Sequence, residues 1–319
     1  MTDRYCLQPG GRRVCYRIDG DPAGRPLVLI AGLTLDLTSW PGEMVDGLVA
    51  HGFRVIRLDN RDVGHSTWAT TAPPGTLRQV MRRPRRDGYD LADMAADVID
   101  LLDHLEIERA HLVGMSMGGM IAQTMAARYP ERTLSLTSIF STTGAPNVGQ
   151  PAMSTLMMMA KRPSRTKQAF IERHLESLEH LAGRSFPVDV AGAVAYAAGA
   201  WDRGPGPCAA AGVARQINAI YKSGDRTAEL ARITAPTHVV HGDRDLIVHP
   251  SGGTATAAAI PGARHLTIAG MGHDLAPGVI DRLVTVIAQN AARAACEAET
   301  QPNSSSVVTP RSGSSSGIR

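Results

Sequence analysis

The sequence predicts an α/β fold, with a mostly parallel central β-sheet, helices on both of its faces and an inserted helical segment. Three observations carry this. Short apolar runs alternate with stretches of helical spacing from Arg25 to Phe140. The runs lack polar alternation, as strands buried on both faces do. The alternation stops between Ser141 and Ala231 and then resumes, which reads as an insertion packed over one edge of the sheet.

The elements follow in order. Tyr5–Gln8 and Arg13–Ile18 flank Pro9-Gly10-Gly11 and predict a hairpin. Arg25–Ala31 (RPLVLIA) predicts the first buried strand, Trp40–His51 an amphipathic helix and Phe53–Leu58 the second strand, ending at Asp59. Leu91–Leu105 has helical spacing, with Asp90 as its N-cap. Ala110–Met115 is the third buried strand, Gly118–Tyr129 a helix stopped by Pro130, and Thr133–Phe140 the fourth strand. The stretch from Ser141 to Ala231 is rich in Met and Ala and helical in pattern. Strands return at Thr237–His241 and Arg264–Ala269, before a helix over Gly278–Ala294. Residues 1–141 and 231–296 are therefore expected to form one core, with 142–230 inserted. Residues 297–319, rich in Ser, Pro and Gly, are expected to be disordered.

Composition narrows the function classes. A net charge of +3 is too small to point to a nucleic-acid partner. The longest apolar runs, Pro26–Leu35 and Ala191–Trp201, fall short of the ~20 residues a membrane span requires. The start, MTDRYCLQPGGRR, has no apolar signal core, so a soluble cytoplasmic protein is expected. Cys6, Cys15, Cys208 and Cys296 show no metal-binding spacing. Cys6 and Cys15 could face each other across the hairpin, but free thiols are the expectation in that compartment.

The chemistry gathers around Gly114-Met115-Ser116-Met117-Gly118, between a strand and a helix. A serine on such a sharp turn carries its hydroxyl above the sheet, and its neighbours two residues away must be small. The following helix points free N–H groups and a positive dipole end at the site. A phosphate loop would need Gly-Lys-Ser/Thr where Gly118-Gly119-Met120 stands. The Rossmann glycine pattern is also absent. Ser116 is therefore the expected nucleophile, and a serine nucleophile requires a base. Of eleven histidines, His273 in Gly270-Met271-Gly272-His273 follows the last strand, on the sheet face that carries the serine turn. His241 reads as a packing residue at a strand end, and His249 as a loop residue. The orienting carboxylate comes from His241-Gly242-Asp243-Arg244-Asp245, which offers two. Backbone N–H groups of Met117 and of the loop after the first buried strand, with Leu33 the first choice, would form an oxyanion hole.

The stretches GMSMGG, HGDRDLIV, GMGHDL and AGL, with Leu58–Ser66 (LDNRDVGHS), resemble the α/β-hydrolase superfamily over about Tyr5 to Ala294. Within it, the wording DLADMAADVIDLLDHLEIERAHLVGMSMGG resembles bacterial serine esterases and lipases of the aclacinomycin methylesterase type. The resemblance implies that Asp245, third after Gly242, is the acid of a Ser116–Asp245–His273 triad. It leaves Asp243 to hold the loop, and it makes 142–230 a helical cap. Three departures stand out: Ala31-Gly32 where His-Gly is usual, Asp62 where glycine is usual, and His249 between Val248 and Pro250. None removes a triad member.

The expected function is hydrolysis of a small-molecule carboxylic ester with an apolar portion, through an acyl-enzyme and with no metal or organic cofactor. Thioesterase, carbon–carbon bond hydrolase, perhydrolase and acyltransferase chemistry fit the same triad, and an inactive binding protein is the rival of another class. Epoxide hydrolases and dehalogenases carry aspartate at the position of Ser116. Met153, Met157, Met158 and Met159 read mainly as helix packing, with an apolar pocket wall as the functional alternative. Arg78, Arg82, Arg83, Arg85 and Arg86 read as a solvated loop, with an anionic substrate or lipid surface as the alternative. Asp62 and His65 are expected to serve loop structure.

Overall fold

In the computed structural model, which describes residues 2–183, 185–206 and 209–300, eight strands form one sheet. They are β1 (Arg4–Leu7), β2 (Arg13–Asp19), β3 (Arg25–Ile30), β4 (Phe53–Leu58), β5 (Ala110–Met115), β6 (Thr133–Ile139), β7 (Thr237–Gly242) and β8 (Arg264–Ile268). Their order is β1-β2-β4-β3-β5-β6-β7-β8. The hairpin pairs antiparallel, Tyr5 opposite Cys15 and Cys6 opposite Val14, and both cysteines are free thiols. β2 also runs antiparallel to β4, and the remaining pairs are parallel.

The two faces follow from strand alternation. Val28, Ile30, Ile56, Leu58 and Leu112 pack on one side, under α3 (Leu91–His104) and α4 (Met117–Arg128). Leu27, Leu29, Val55 and Val113 pack on the other, under α1 (Gly42–Ala50) and α11 (Ile280–Thr300). Asp90 caps α3 in a reciprocal box with Asp93. The last helix outruns its expected end at Ala294 and takes in 297–300, the start of the expected tail; 301–319 lie outside the described residues. A short helix, α2 (Thr76–Val80), and α10 (Ser251–Ala259) complete the layers.

Between β6 and β7 the chain forms α5 (Met153–Met159), α6 (Lys167–Leu181), α7 (Val190–Arg203), α8 (Ala209–Ser223) and α9 (Thr227–Leu230). Buried polar anchors tie these helices to the sheet's loops. Arg215 of α8 donates to both Asp62 oxygens at 2.6 and 2.9 Å, and Tyr89 donates its hydroxyl to the same carboxylate. Asp62 therefore serves the loop, as expected, and it holds the left-handed φ of 65° that glycine would otherwise supply. Arg203 of α7 pairs with Asp3, Asp36 and Asp59. The methionines of α5 depart from the packing expectation: Met153, Met157 and Met159 are exposed.

β3 lies between β4 and β5, so successive connections leave it in opposite directions. An open sheet has its crevice at such a reversal, outside the strand C-termini. The loops after β3 and β5 carry Leu33 and Ser116.

Candidate active site

Ser116 stands between β5 and α4 with φ 54° and ψ −120°, a strained conformation for a residue with a side chain. The turn closes too tightly for side chains beside it. A Cβ on Gly114 would lie 2.2 Å from the Gly118 carbonyl oxygen, and one on Gly118 would lie 2.0 Å from that of Ile30. The Ser116 N–H donates to Ile139 O at 2.9 Å, and the Ser141 hydroxyl donates to Ser116 O at 2.7 Å. The turn is thereby held from the neighbouring strand.

The loop after β3 reaches the same point. A Cβ on Gly32 would come within 3.3 Å of the Ser116 Cβ. Gln216 of α8 fixes this loop, accepting from Thr34 N–H at 2.9 Å and donating to Arg61 O at 2.8 Å. Among the described residues, no protein acceptor takes the N–H of Leu33 or Met117. Met117 opens α4, where unpaired N–H groups and the helix dipole favour negative charge.

His273 and Asp245 meet from the loops after β8 and β7. His273 Nδ1 donates to Asp245 Oδ2 at 2.7 Å, which leaves Nε2 as the acceptor on the ring's far side. Asp245 is 3% exposed, and its Oδ1 accepts from the N–H groups of Ile247 and Val248, both at 2.8 Å. Burial works against its charge, but His273 and His241 overcome this and hold the carboxyl well below the usual range. Asp243 has a different partner: it accepts from Gly270 N–H at 2.6 Å and ties the two loops together. Of the two aspartates, Asp245 is the one that meets His273.

Two residues at the site escaped the sequence reading. His241 was read as packing, and it is fully buried. Its Nε2–H faces Val248 O at 2.8 Å and Asp245 Oδ2 at 3.2 Å, so it also supports the carboxylate. Phe140 follows β6 at φ 35°, and its ring centroid lies 4.3 Å from that of His273. Ser116 N–H bonds the residue just before Phe140, so this ring links the serine turn to the histidine. No hydrogen bond joins the Ser116 hydroxyl to His273 among the described residues; such bonds commonly tighten when substrate binds.

The helices after β6 also clasp the histidine loop. His273 N–H donates to Leu181 O at 2.9 Å. A Cβ on Gly272 would lie 1.9 Å from that same oxygen. Elsewhere, Asp3, Cys15 and His65 bring potential metal-ligand atoms within 4.8 Å of one another. Arg203 donates to Asp3 and contacts Cys15, so a cation already balances this cluster.

A profile of the family described as the alpha/beta hydrolase fold matches residues 25–276. The chain belongs to the α/β-hydrolase family. Within that family it is 34% identical over 295 residues to rhodomycin D methylesterase DnrP of Streptomyces peucetius, covering 84% of this chain and 91% of the relative. A second rhodomycin D methylesterase, DauP of Streptomyces sp. (strain C5), matches with the same identity and coverage. Among solved structures, the enol-lactonase from Burkholderia xenovorans LB400 superposes with a TM-score of 0.70 at 24% identity, covering 91% of this chain and 100% of that one. Esterase RhEst1 from Rhodococcus sp. ECU1013 gives 0.71 at 20% identity, covering 92% and 99%. These structural likenesses support the α/β-hydrolase fold.

Proposed function

We propose that this α/β hydrolase cleaves a small-molecule carboxylic ester through an acyl-enzyme on Ser116. The observation that carries the reading is the His273–Asp245 hydrogen bond at 2.7 Å on the face of the strained serine turn. In this reading, His273 Nε2 takes the hydroxyl proton as Ser116 Oγ attacks the ester carbonyl. Asp245 fixes the tautomer and stabilises the imidazolium. The Leu33 and Met117 N–H groups bind the oxyanion. His273 then protonates the departing alkoxide, and afterwards deprotonates the water that frees the acid. No metal or organic cofactor enters these steps.

We take residues 142–230 as a cap over a core of 1–141 and 231–296, which would shape an apolar part of the substrate pocket. The names of the Streptomyces relatives make a methyl ester the first substrate class to test. Hydrolysis of a p-nitrophenyl ester chain-length series and of methyl esters should be lost in Ser116→Ala. Full activity in that variant would refute the proposal.

A further inference from the structure

Seven of the eleven large hydrophobic side chains exposed among the described residues fall in two short stretches. Leu77, Val80 and Met81 belong to α2 and its end, and are 73%, 76% and 48% exposed. Met153, Leu156, Met157 and Met159 belong to α5. The two stretches meet where Arg82 Nη2 donates to Gln150 Oε1 at 2.7 Å. α2 buries none of its residues, so water gives it no reason to present an apolar face.

Charge is equally one-sided there. Residues 75–86 and 150–169 hold nine Lys and Arg and no Asp or Glu, in a chain whose total excess is three. Carboxylates from outside these stretches pair with Arg85, Lys161 and Lys167. Among the described residues, none lies within ion-pair distance of Arg83, Arg86, Arg162 or Arg165.

We propose that the surface formed by α2 and α5 docks on an anionic lipid bilayer. The Leu, Val and Met side chains would enter the boundary between headgroups and acyl chains, while the arginines pair with lipid phosphates. Other occupants fit less well. A nucleic acid would satisfy the cations but leave the apolar side chains wet. A second copy of the same face would set the six cations that pair with no carboxylate among the described residues against six more. No helix among the described residues is long and apolar enough to cross a membrane, so the association is peripheral.

Sedimentation of the purified full-length chain with vesicles tests this. It should pellet with phosphatidylglycerol–phosphatidylcholine vesicles at low salt, stay in solution with pure phosphatidylcholine, and be released by high salt. Arg83→Gln with Arg86→Gln should weaken partitioning by roughly fivefold per arginine. Leu77→Ser, Val80→Ser and Met157→Ser together should weaken it by about tenfold or more at unchanged charge. All these positions are exposed, so unaltered thermal melts are expected. Ser116→Ala should bind like wild type, which separates this proposal from the catalytic one. Three results would overturn it: no pelleting, equal binding to zwitterionic vesicles, or variants that bind unchanged. A concentration-dependent dimer lost in the same variants, without vesicle binding, would assign the face to a second copy instead.

Discussion

His241→Phe isolates one strand of the network behind the base. The ring packs closely on Gly253, where a Cβ would lie 2.5 Å from His241 Nδ1, so a planar aromatic replacement is the appropriate probe. Two contacts vanish with the Nε2–H. Val248 O, at 2.8 Å, loses its buried partner, which costs about 1–3 kcal/mol. Asp245 Oδ2 loses the longer contact, at 3.2 Å, but keeps His273 and the two backbone N–H groups. The carboxylate then becomes somewhat more basic and the imidazolium easier to form. The acid limb of the kcat/KM profile should therefore move to higher pH by less than about one unit, equivalent to under ~1.4 kcal/mol. kcat should fall roughly threefold to tenfold. The assay is a pH–rate profile on an activated ester, beside urea unfolding of the same preparation. A lower unfolding midpoint with an unchanged profile would refute the positioning role and leave His241 as packing alone.

Other perturbations follow from the same geometry. Gly114→Ala places a methyl 2.2 Å from Gly118 O, so the serine turn must open; kcat should drop by about 100-fold or more, checked by steady-state kinetics on folded protein. Asp62→Asn keeps the shape and tolerates the left-handed φ, but it strands the buried Arg215 charge. A stability loss of roughly 3–5 kcal/mol in urea unfolding is expected. His111 is buried beside Ser135, and burial pushes its pKa down from 6.5 to about 4, with Arg25 and Arg109 adding to the effect. The unfolded chain then binds the extra proton between those values, so stability is complete above pH 6.5 and declines as pH falls toward 4. In His111→Asn this part of the acid decline in urea midpoint should flatten.

The sequence was most legible where burial decides everything. Phe53–Leu58 and Ala110–Met115 match their strands residue for residue, because short, mostly apolar runs rich in β-branched and bulky residues, closed off by polar residues, are too short for a buried helix. The serine turn was legible because its glycines, Gly114 and Gly118, are sterically required and sit only four positions apart, one on each side of the serine. α10 was not: SGGTATAAA has two glycines and no apolar stripe, and its helix is held by packing on β7 and β8. α2 escaped because no residue of it is buried, so hydrophobic spacing carried no signal. His241 and Phe140 were illegible for another reason. Phe140 meets His273 more than a hundred residues further along, and His241 turns back on Asp245 only four residues away, through a loop geometry that residue types alone do not display. The insertion was visible as an interruption, but its anchors, Arg203, Arg215 and Gln216, reach partners more than a hundred residues away.

The central claim is that Ser116 is the nucleophile, activated by His273 and Asp245. Intact-mass analysis after treatment with a fluorophosphonate tests it most directly. One adduct per chain, mapped to Ser116, absent in Ser116→Ala and much slower to form in His273→Ala, is the expected result. Labelling at another residue, or an undiminished adduct in Ser116→Ala, would contradict it.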